Sequence, residues 1–309
     1  MKKVLITGAG AVGSCLAVPF RSICADLLLV NRTPTAPHLC VCPLDESGAF
    51  RELVRSERPQ AVIHAAGNKN VFQLEQDPEA AERDNFDVTA SVCDALAERG
   101  VHLIYVSSDY VFDGVNAPFD ERSRPGATTV YGRSKQRAEQ YIIENSPRYT
   151  IVRSAGLFGH RQDFVHAVLR ALRRGNAFRA FTNLRNSPTY SGDLFEMLRR
   201  TVEWEVTGIL HACGSEQVSR YEYARMIAEA FRYDPDLIVP HEICDVRPND
   251  LRLDAQHTYA TLEYTPPCIR DILRSNRSEW TVTATSPHDN DPRSLAVSVA
   301  RTGSSGRSS

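Results

Sequence analysis

The stretch VLITGAGAVGS, residues 4–14, constrains the fold more than any other part of the chain. Four strand-forming residues run into glycines spaced G-x-G-x-x-G (Gly8, Gly10 and Gly13), and an apolar helical pattern opens directly behind them. In such a strand–turn–helix unit each glycine has its own task. The first allows the tight turn, the second lets backbone approach a pyrophosphate, and the third lets helix and strand pack closely. The helix N-terminus then faces the anion with unpaired N–H groups. Gly8, Gly10, Ala11, Val12 and Gly13 are therefore expected to cradle a dinucleotide.

The rest of the first half keeps the same rhythm. Apolar runs at Leu27–Val30, Leu39–Cys42, Ala61–Ala65, His102–Val106 and Tyr149–Arg153 read as strands. Helical patterns at Ala11–Ile23 (with Pro19 as a blemish), Phe50–Glu57, Pro78–Arg99 and Tyr131–Glu144 separate most of them. Strands joined by helical crossovers imply right-handed βαβ units. The expected class is α/β, a Rossmann-type doubly wound parallel sheet over residues 1–153. From residue 154 the rhythm changes to helices at 163–174, 192–203 and 219–231 with irregular connections. A smaller, helix-rich substrate lobe is expected over 154–275. Residues 276–309, rich in Ser, Thr, Asp, Asn, Pro and Gly, read as a disordered tail.

The end of the second strand bears on the cofactor. A carboxylate there binds the ribose 2′-hydroxyl of NAD, whereas an arginine accommodates the 2′-phosphate of NADP. The sequence supplies Asn31, Arg32 and Thr33 and no acid. NADP(H) is expected, with NAD(H) as the alternative. Asp45, after the third strand, is a candidate for the adenine or for capping the next helix.

Charge and cysteine usage narrow the partners. A formal net charge of −2 gives no reason to expect nucleic acid. No run approaches the roughly 20 apolar residues of a membrane span. The N-terminal Lys2-Lys3 and following apolar residues imitate a signal peptide, but glycines break the stretch and export is not expected. The eight cysteines are scattered without a C-x-x-C pair or zinc-ligand spacing, which suits reduced thiols in the cytoplasm and no metal.

The fifth strand ends in polar residues, SSDY at 107–110, where a strand that only fills a core would stop at a turn. Further on, Tyr131 and Lys135 stand four apart on a helical pattern and so share a face. The chain has only four lysines against 32 arginines, which makes each lysine informative. A free tyrosine titrates near ~10, too high for ready proton exchange at neutral pH. A lysine ammonium and an oxidised nicotinamide nearby would favour the phenolate. Tyr131 is then the candidate general acid or base toward a carbonyl oxygen, Ser108 its orienting partner, and Lys135 the group that tunes the phenol and reaches the nicotinamide ribose.

These motifs resemble an extended short-chain dehydrogenase/reductase and, within that superfamily, the dTDP-4-dehydrorhamnose reductase group. SSDYVFDG (107–114) is close to that group's Ser-Thr-Asp-Tyr-Val-Phe-Asp-Gly, and YGRSKQRAE (131–139), SPTYSGDL (187–194) and RPNDLRLD (247–254) resemble other segments of it. HAAGNKNV (64–71) is similar to its loop after the fourth strand, and Asn85 to an asparagine in the following helix. The resemblance implies an NADPH-dependent reductase of a nucleotide-linked 4-keto-6-deoxy sugar. It implies Ala65, Ala66 and Gly67 at the cofactor, and Asp109, Tyr110, Arg153, Arg247 and Lys69 at the substrate. It also leaves open an epimerase or dehydratase with tightly bound NAD(P), and a non-catalytic NADP-binding regulatory subunit. The chain departs from the group in a glycine loop one residue shorter and in Gly156, where rhamnose-forming members resemble one another in carrying a tryptophan. The partner expected is a small sugar nucleotide; a homodimer is allowed for.

Overall fold

A computed structural model describes residues 3–24, 26–33, 39–45, 47–160 and 162–281. Its centre is a seven-stranded sheet. Strands β1 (Val4–Thr7), β2 (Leu27–Asn31), β3 (Cys40–Val41), β4 (Ala61–His64), β5 (His102–Ser108) and β6 (Tyr149–Ser154) are joined by a seventh strand, Gly208–Ala212. In space the order is Gly208–Ala212, β6, β5, β4, β1, β2, β3, and every pairing is parallel. The order reverses between β1 and β4, which opens the crevice where ligands of such sheets bind.

Successive strand residues enter opposite cores, because side chains alternate between the two faces and both faces are covered. Val4 and Ile6 of β1 and Ile104 and Val106 of β5 enter one core. That core is closed by α1 (Ala11–Ile23) and the helices Ser191–Trp204 and Gln256–Leu262. Leu5, Leu103 and Tyr105 enter the other, against α2 (Ser47–Glu57) and the helices Val88–Ala97 and Val130–Asn145. Pro19 does not break α1, which runs on to Ile23. The helical pattern at 78–99 resolves into Pro78–Ala81, a π-helical turn Glu82–Asp87, and Val88–Ala97.

A third core builds the second lobe from the helices Phe164–Arg173, Arg220–Phe231 and Ile269–Ser275. Two short parallel strands, Phe178–Phe181 and Ile238–His241, flank it. Two expectations about boundaries are corrected here. The chain does not leave the sheet at 153: Gly208–Ala212 pairs with β6, Ile209 opposite Ile151, and the helices Ser191–Trp204 and Gln256–Leu262 cover the sheet rather than the lobe. Nor does order stop at 275. Arg277–Thr281 is helical, and Trp280 is fully buried in the third core with its Nε1 donating to Asp163 Oδ2 at 3.1 Å. The remainder of the expected tail, 282–309, lies outside the described residues.

Among the described residues all eight cysteines are free thiols, and no helix is long and apolar enough to cross a membrane.

Candidate functional site

Two adjoining cavities line the C-terminal edge of the sheet at the crevice. One, of about 380 Å³, is walled by the glycine turn, the ends of β2 and β4 and Asp84. The other, of about 400 Å³, runs from the glycine turn past the ends of β5 and β6 into the second lobe. Both are lined by Gly10, Ala65, Ala66, Gly67, Asn68 and Lys69, so they form one groove.

The glycine turn is built for close approach. Gly8 has φ +91°, and a Cβ on it would lie 2.6 Å from Ala66 N. A Cβ on Gly13 would lie 1.8 Å from Gly8 O, so α1 can sit this tightly on β1 only without a side chain there. Gly10 has nothing within 4 Å of its Cβ position and presents open backbone to the groove. The turn therefore fits a pyrophosphate at the N-terminus of α1, although it is one residue shorter than the reductase group's usual loop. Ala11 and Val12 line the larger cavity, while Gly13 lies behind it in a packing role.

At the far end Asn31, Arg32 and Asp45 line the smaller cavity. Asn31 holds the loop, its Oδ1 accepting from Ala9 N at 3.4 Å and its Nδ2 donating to Thr33 O at 2.9 Å. Thr33 is exposed and does not line the groove, because the chain turns away after Arg32. The guanidinium of Arg32 is more than half exposed and ion-paired at 3.3 Å with Asp84, brought in by the π-helical turn. The acid missing from the end of β2 thus arrives from another element.

The polar end of β5 turns into a short 3₁₀ helix, Asp109–Val111, capped by Ser108. The Ser108 hydroxyl donates to Asp109 Oδ1 at 2.9 Å and accepts from Tyr110 N at 3.3 Å. Helix Val130–Asn145 starts at Thr129, whose side chain accepts from Gly132 N at 3.0 Å, and it brings Tyr131 and Lys135 to the same wall. Tyr131 and Tyr110 meet edge to face with ring centroids 5.6 Å apart. Asn85 braces the wall: its Oδ1 accepts from Asn68 N at 2.7 Å, and its Nδ2 donates to Asn68 O and Ser134 Oγ, both at 3.0 Å. Ser108, Asp109, Tyr110, Tyr131, Lys135 and Lys69 all line the larger cavity.

The electrostatics differ from the expectation in one respect. Burial drives the Tyr131 phenol well above its ordinary value of 10, partly offset by hydrogen bonding with Ser108, and Lys135 contributes no lowering. Lys135 Nζ instead donates to Val106 O at 2.8 Å and lies over the Tyr105 ring, 4.1 Å from its centroid. Burial pulls its ammonium down to about 7, with Glu139 opposing. Burial also raises the Asp109 carboxyl to about 7, against the Ser108 hydrogen bond and the charge of Arg220. The wall thus holds a protonated phenol beside two groups that exchange protons near neutrality.

Two arginines assigned to substrate fall elsewhere. Arg153 is 2% exposed and gripped by Glu139, with Nη2 to Oε2 at 2.8 Å, beneath the sheet edge and not in the cavity. Arg247 turns onto Asp245, Nη2 to Oδ2 at 2.7 Å, and packs over Phe72 and Phe181 outside the cavity lining. In both cases a carboxylate claims the guanidinium. Sequence reasoning missed Asn68, Asp84, Arg185, Asn186 and Arg220, which do line the groove. The first two lie within the loop 64–71 and the helical pattern 78–99, and Arg185 and Asn186 just precede SPTYSGDL. Arg220 had no signal beyond being one arginine of 32.

Comparisons with known proteins agree with this fold. A dTDP-4-dehydrorhamnose reductase of Mycolicibacterium smegmatis is 31% identical over 245 residues, covering 77% of this chain and 72% of that protein. Methionine adenosyltransferase 2 subunit beta of Danio rerio is 29% identical over 250 residues, 77% of each chain. The crystal structure of a dTDP-4-dehydrorhamnose reductase from Bacillus anthracis in complex with NADP has the same fold. It superposes with a TM-score of 0.82 over 90% of this chain and 99% of that one, at 24% identity. Residues 1–275 match the family model described as RmlD substrate binding domain, and the chain belongs to that family.

Proposed function

We propose that the chain is an NADPH-dependent reductase of a nucleotide-linked 4-keto-6-deoxy sugar, in the manner of the short-chain dehydrogenase/reductases. One observation carries the proposal: a single cavity is lined both by the glycine turn (Gly10, Ala11 and Val12) and by Ser108, Tyr131 and Lys135. The reductase relatives support the substrate class.

Gly8 to Val12 would hold the pyrophosphate, Ala65 to Gly67 the middle of the dinucleotide, and Asn31, Arg32 and Asp45 its adenosine end. Arg32 suits the 2′-phosphate of NADP(H), which would take the place of its Asp84 partner, whereas Asp84 suits the 2′-hydroxyl of NAD(H). When bound, the nicotinamide supplies the hydride for a carbonyl carbon. Ser108 hydrogen-bonds the carbonyl oxygen and fixes its direction. Tyr131 donates its proton to that oxygen, and its raised pKa keeps the phenol protonated at neutral pH, which suits a donor. Lys135, poised near neutrality, can restore the proton. Asp109 and Tyr110 flank the sugar.

The test offers dTDP-4-keto-6-deoxy sugars with NADPH and NADH in parallel. Stoichiometric loss of NADPH absorbance is expected, and Tyr131→Phe should lower turnover at least 10²-fold, the usual worth of general acid catalysis, while cofactor still binds. Unchanged turnover in that variant refutes Tyr131 as the acid. Product without cofactor consumption would indicate an epimerase or dehydratase.

A second reading is a non-catalytic NADP-binding regulatory subunit. The methionine adenosyltransferase subunit relatives favour it, as does the engagement of Lys135 Nζ with Val106 O. Cofactor binding with no turnover of any 4-keto sugar nucleotide would select it.

A further inference from the structure

The second-lobe end of the larger cavity contains a donor pair that the mechanism does not use. Gly156, two residues past β6, leaves an open floor. A Cβ placed on it would lie 2.9 Å from Asn186 Nδ2 and 3.0 Å from Arg220 Nη2. The two side chains, from different elements, therefore pack directly over the bare Cα and lie side by side at this end of the cavity. Both are held firmly. Asn186 lies in a strand paired antiparallel with Val218, and Arg220 N donates to Leu184 O at 2.9 Å. The Arg220 guanidinium also lies over the Phe164 ring, 4.8 Å from its centroid.

The guanidinium stands out by what faces it. Arg153 has Glu139, Arg247 has Asp245, Arg252 has Asp250, and Arg185 has Glu222 at 3.7 Å. Arg220 makes no ion pair among the described residues. Its charge reaches Asp109 and Tyr110, on the wall that carries Ser108. Asn186 is 8% exposed and its side-chain amide makes no hydrogen bond among the described residues, its Oδ1 being a buried acceptor without a donor. A guanidinium partly withdrawn from water and without a counter-charge gains from an anion beside it. Arginine's planar fork suits the two oxygens of a carboxylate or phosphate.

We propose that Arg220 and Asn186, over the bare Cα of Gly156, form a subsite for an anionic oxygen group of the sugar nucleotide. The group is either a carboxylate on the sugar or a phosphate of the diphosphate. This rests on the sugar-nucleotide reading above and adds a specificity determinant to it. A tryptophan at Gly156 would occupy the same space, so the glycine and the paired donors belong to one arrangement.

Calorimetric titration of the NADP-loaded full chain tests it. The probes are dTDP and UDP, their glucose conjugates and their glucuronic acid conjugates. The variants are Arg220→Gln, which keeps a polar side chain, and Gly156→Val, which fills the subsite from the opposite side. Melting temperature and NADP affinity should match the parent and show that both variants fold. If both weaken the nucleoside diphosphate itself by about 10–100-fold, the range of a charged hydrogen bond, the anion is the phosphate. If the parent prefers glucuronate to glucose conjugates by that factor and both variants lose only that preference, the anion is the carboxylate. Either result supports the subsite. Sugar-nucleotide affinities within twofold of the parent in both variants overturn it and leave the reductase reading intact. Failure of the parent to bind any sugar nucleotide while it binds NADP overturns both.

Discussion

Replacing Glu139 with alanine is expected to be the most damaging single change near the site, for a reason that can be worked through. Glu139 and Arg153 are 3% and 2% exposed. The carboxylate accepts from Arg153 Nε and Nη2 at 2.8–3.2 Å and from Ser107 Oγ at 2.5 Å. Ser107 immediately precedes Ser108, so the pair underpins the strand end that carries Ser108. Glu139→Ala leaves a guanidinium in a dry site where Nη1 already lacks a partner. Breaking a buried pair in this way costs about 3–5 kcal/mol, a large share of the 5–15 kcal/mol that typically holds a protein folded. At roughly 2–4 °C per kcal/mol for chains of 150–250 residues, the melting midpoint should fall by about 6–20 °C. The double replacement Glu139→Leu with Arg153→Met removes both charges and should recover most of that loss, because apolar substitutes for buried pairs are often neutral. Thermal and urea unfolding of the parent, Glu139→Leu, Arg153→Met and the double variant measure the coupling. Were Arg153→Met to melt within about 1 °C of the parent yet lose sugar-nucleotide affinity, the pair would not be structural and Arg153 would belong to the substrate site.

Three further outcomes can be checked. Gly13→Ala puts a methyl 1.8 Å from Gly8 O, a contact with backbone that only a shift of α1 relieves, so dinucleotide titration should show affinity reduced at least tenfold. Trp280→Ala empties the middle of the third core and removes the donor to Asp163; a loss of about 3–5 kcal/mol is expected in urea unfolding. A Trp280→Ala variant as stable as the parent would show that the chain after 275 adds nothing to the lobe. The Asp109 carboxyl should take stability away as pH rises from about 4 to about 7, opposite in sign to the buried His64 and His211, whose rings, lowered to about 3, favour folding as pH rises. The folded chain keeps the Asp109 proton up to about 7 and the unfolded chain sheds it near 3.8, so folding takes up a proton across that window. Asp193, raised to about 6 by burial, acts in the same sense. Asp109→Asn should make the slope of melting temperature against pH more positive there, and an unaltered slope would refute the raised carboxyl.

What could be read from the sequence about this protein is what acts over a few residues. The turn after β1 needs a glycine at Gly13 because the carbonyl of Gly8 fills the space a side chain would take, and the two lie only five residues apart in the chain. Tyr131 and Lys135 share a face because four residues are about one helical turn. The strand alternation that seats Ile104 and Val106 on one side and Leu103 and Tyr105 on the other follows from the period of two. The relations that define the site's charge and limits were not legible, because they join residues far apart in sequence. The carboxylate facing Arg32 is Asp84, 52 positions away, and the cavity's uncommitted guanidinium is Arg220, opposite Gly156. Arg153 looks like a binding residue until Glu139 folds against it from a neighbouring helix. GILHA at 208–212 is too short to announce itself as a strand until β6 offers an open edge, and Trp280 belongs to the lobe only because the helices around it leave a place for an indole. Local spacing determines which groups can turn toward the cleft. Packing alone decides which of them arrive there without a partner, since an ion pair between distant elements exists only once those elements are in contact.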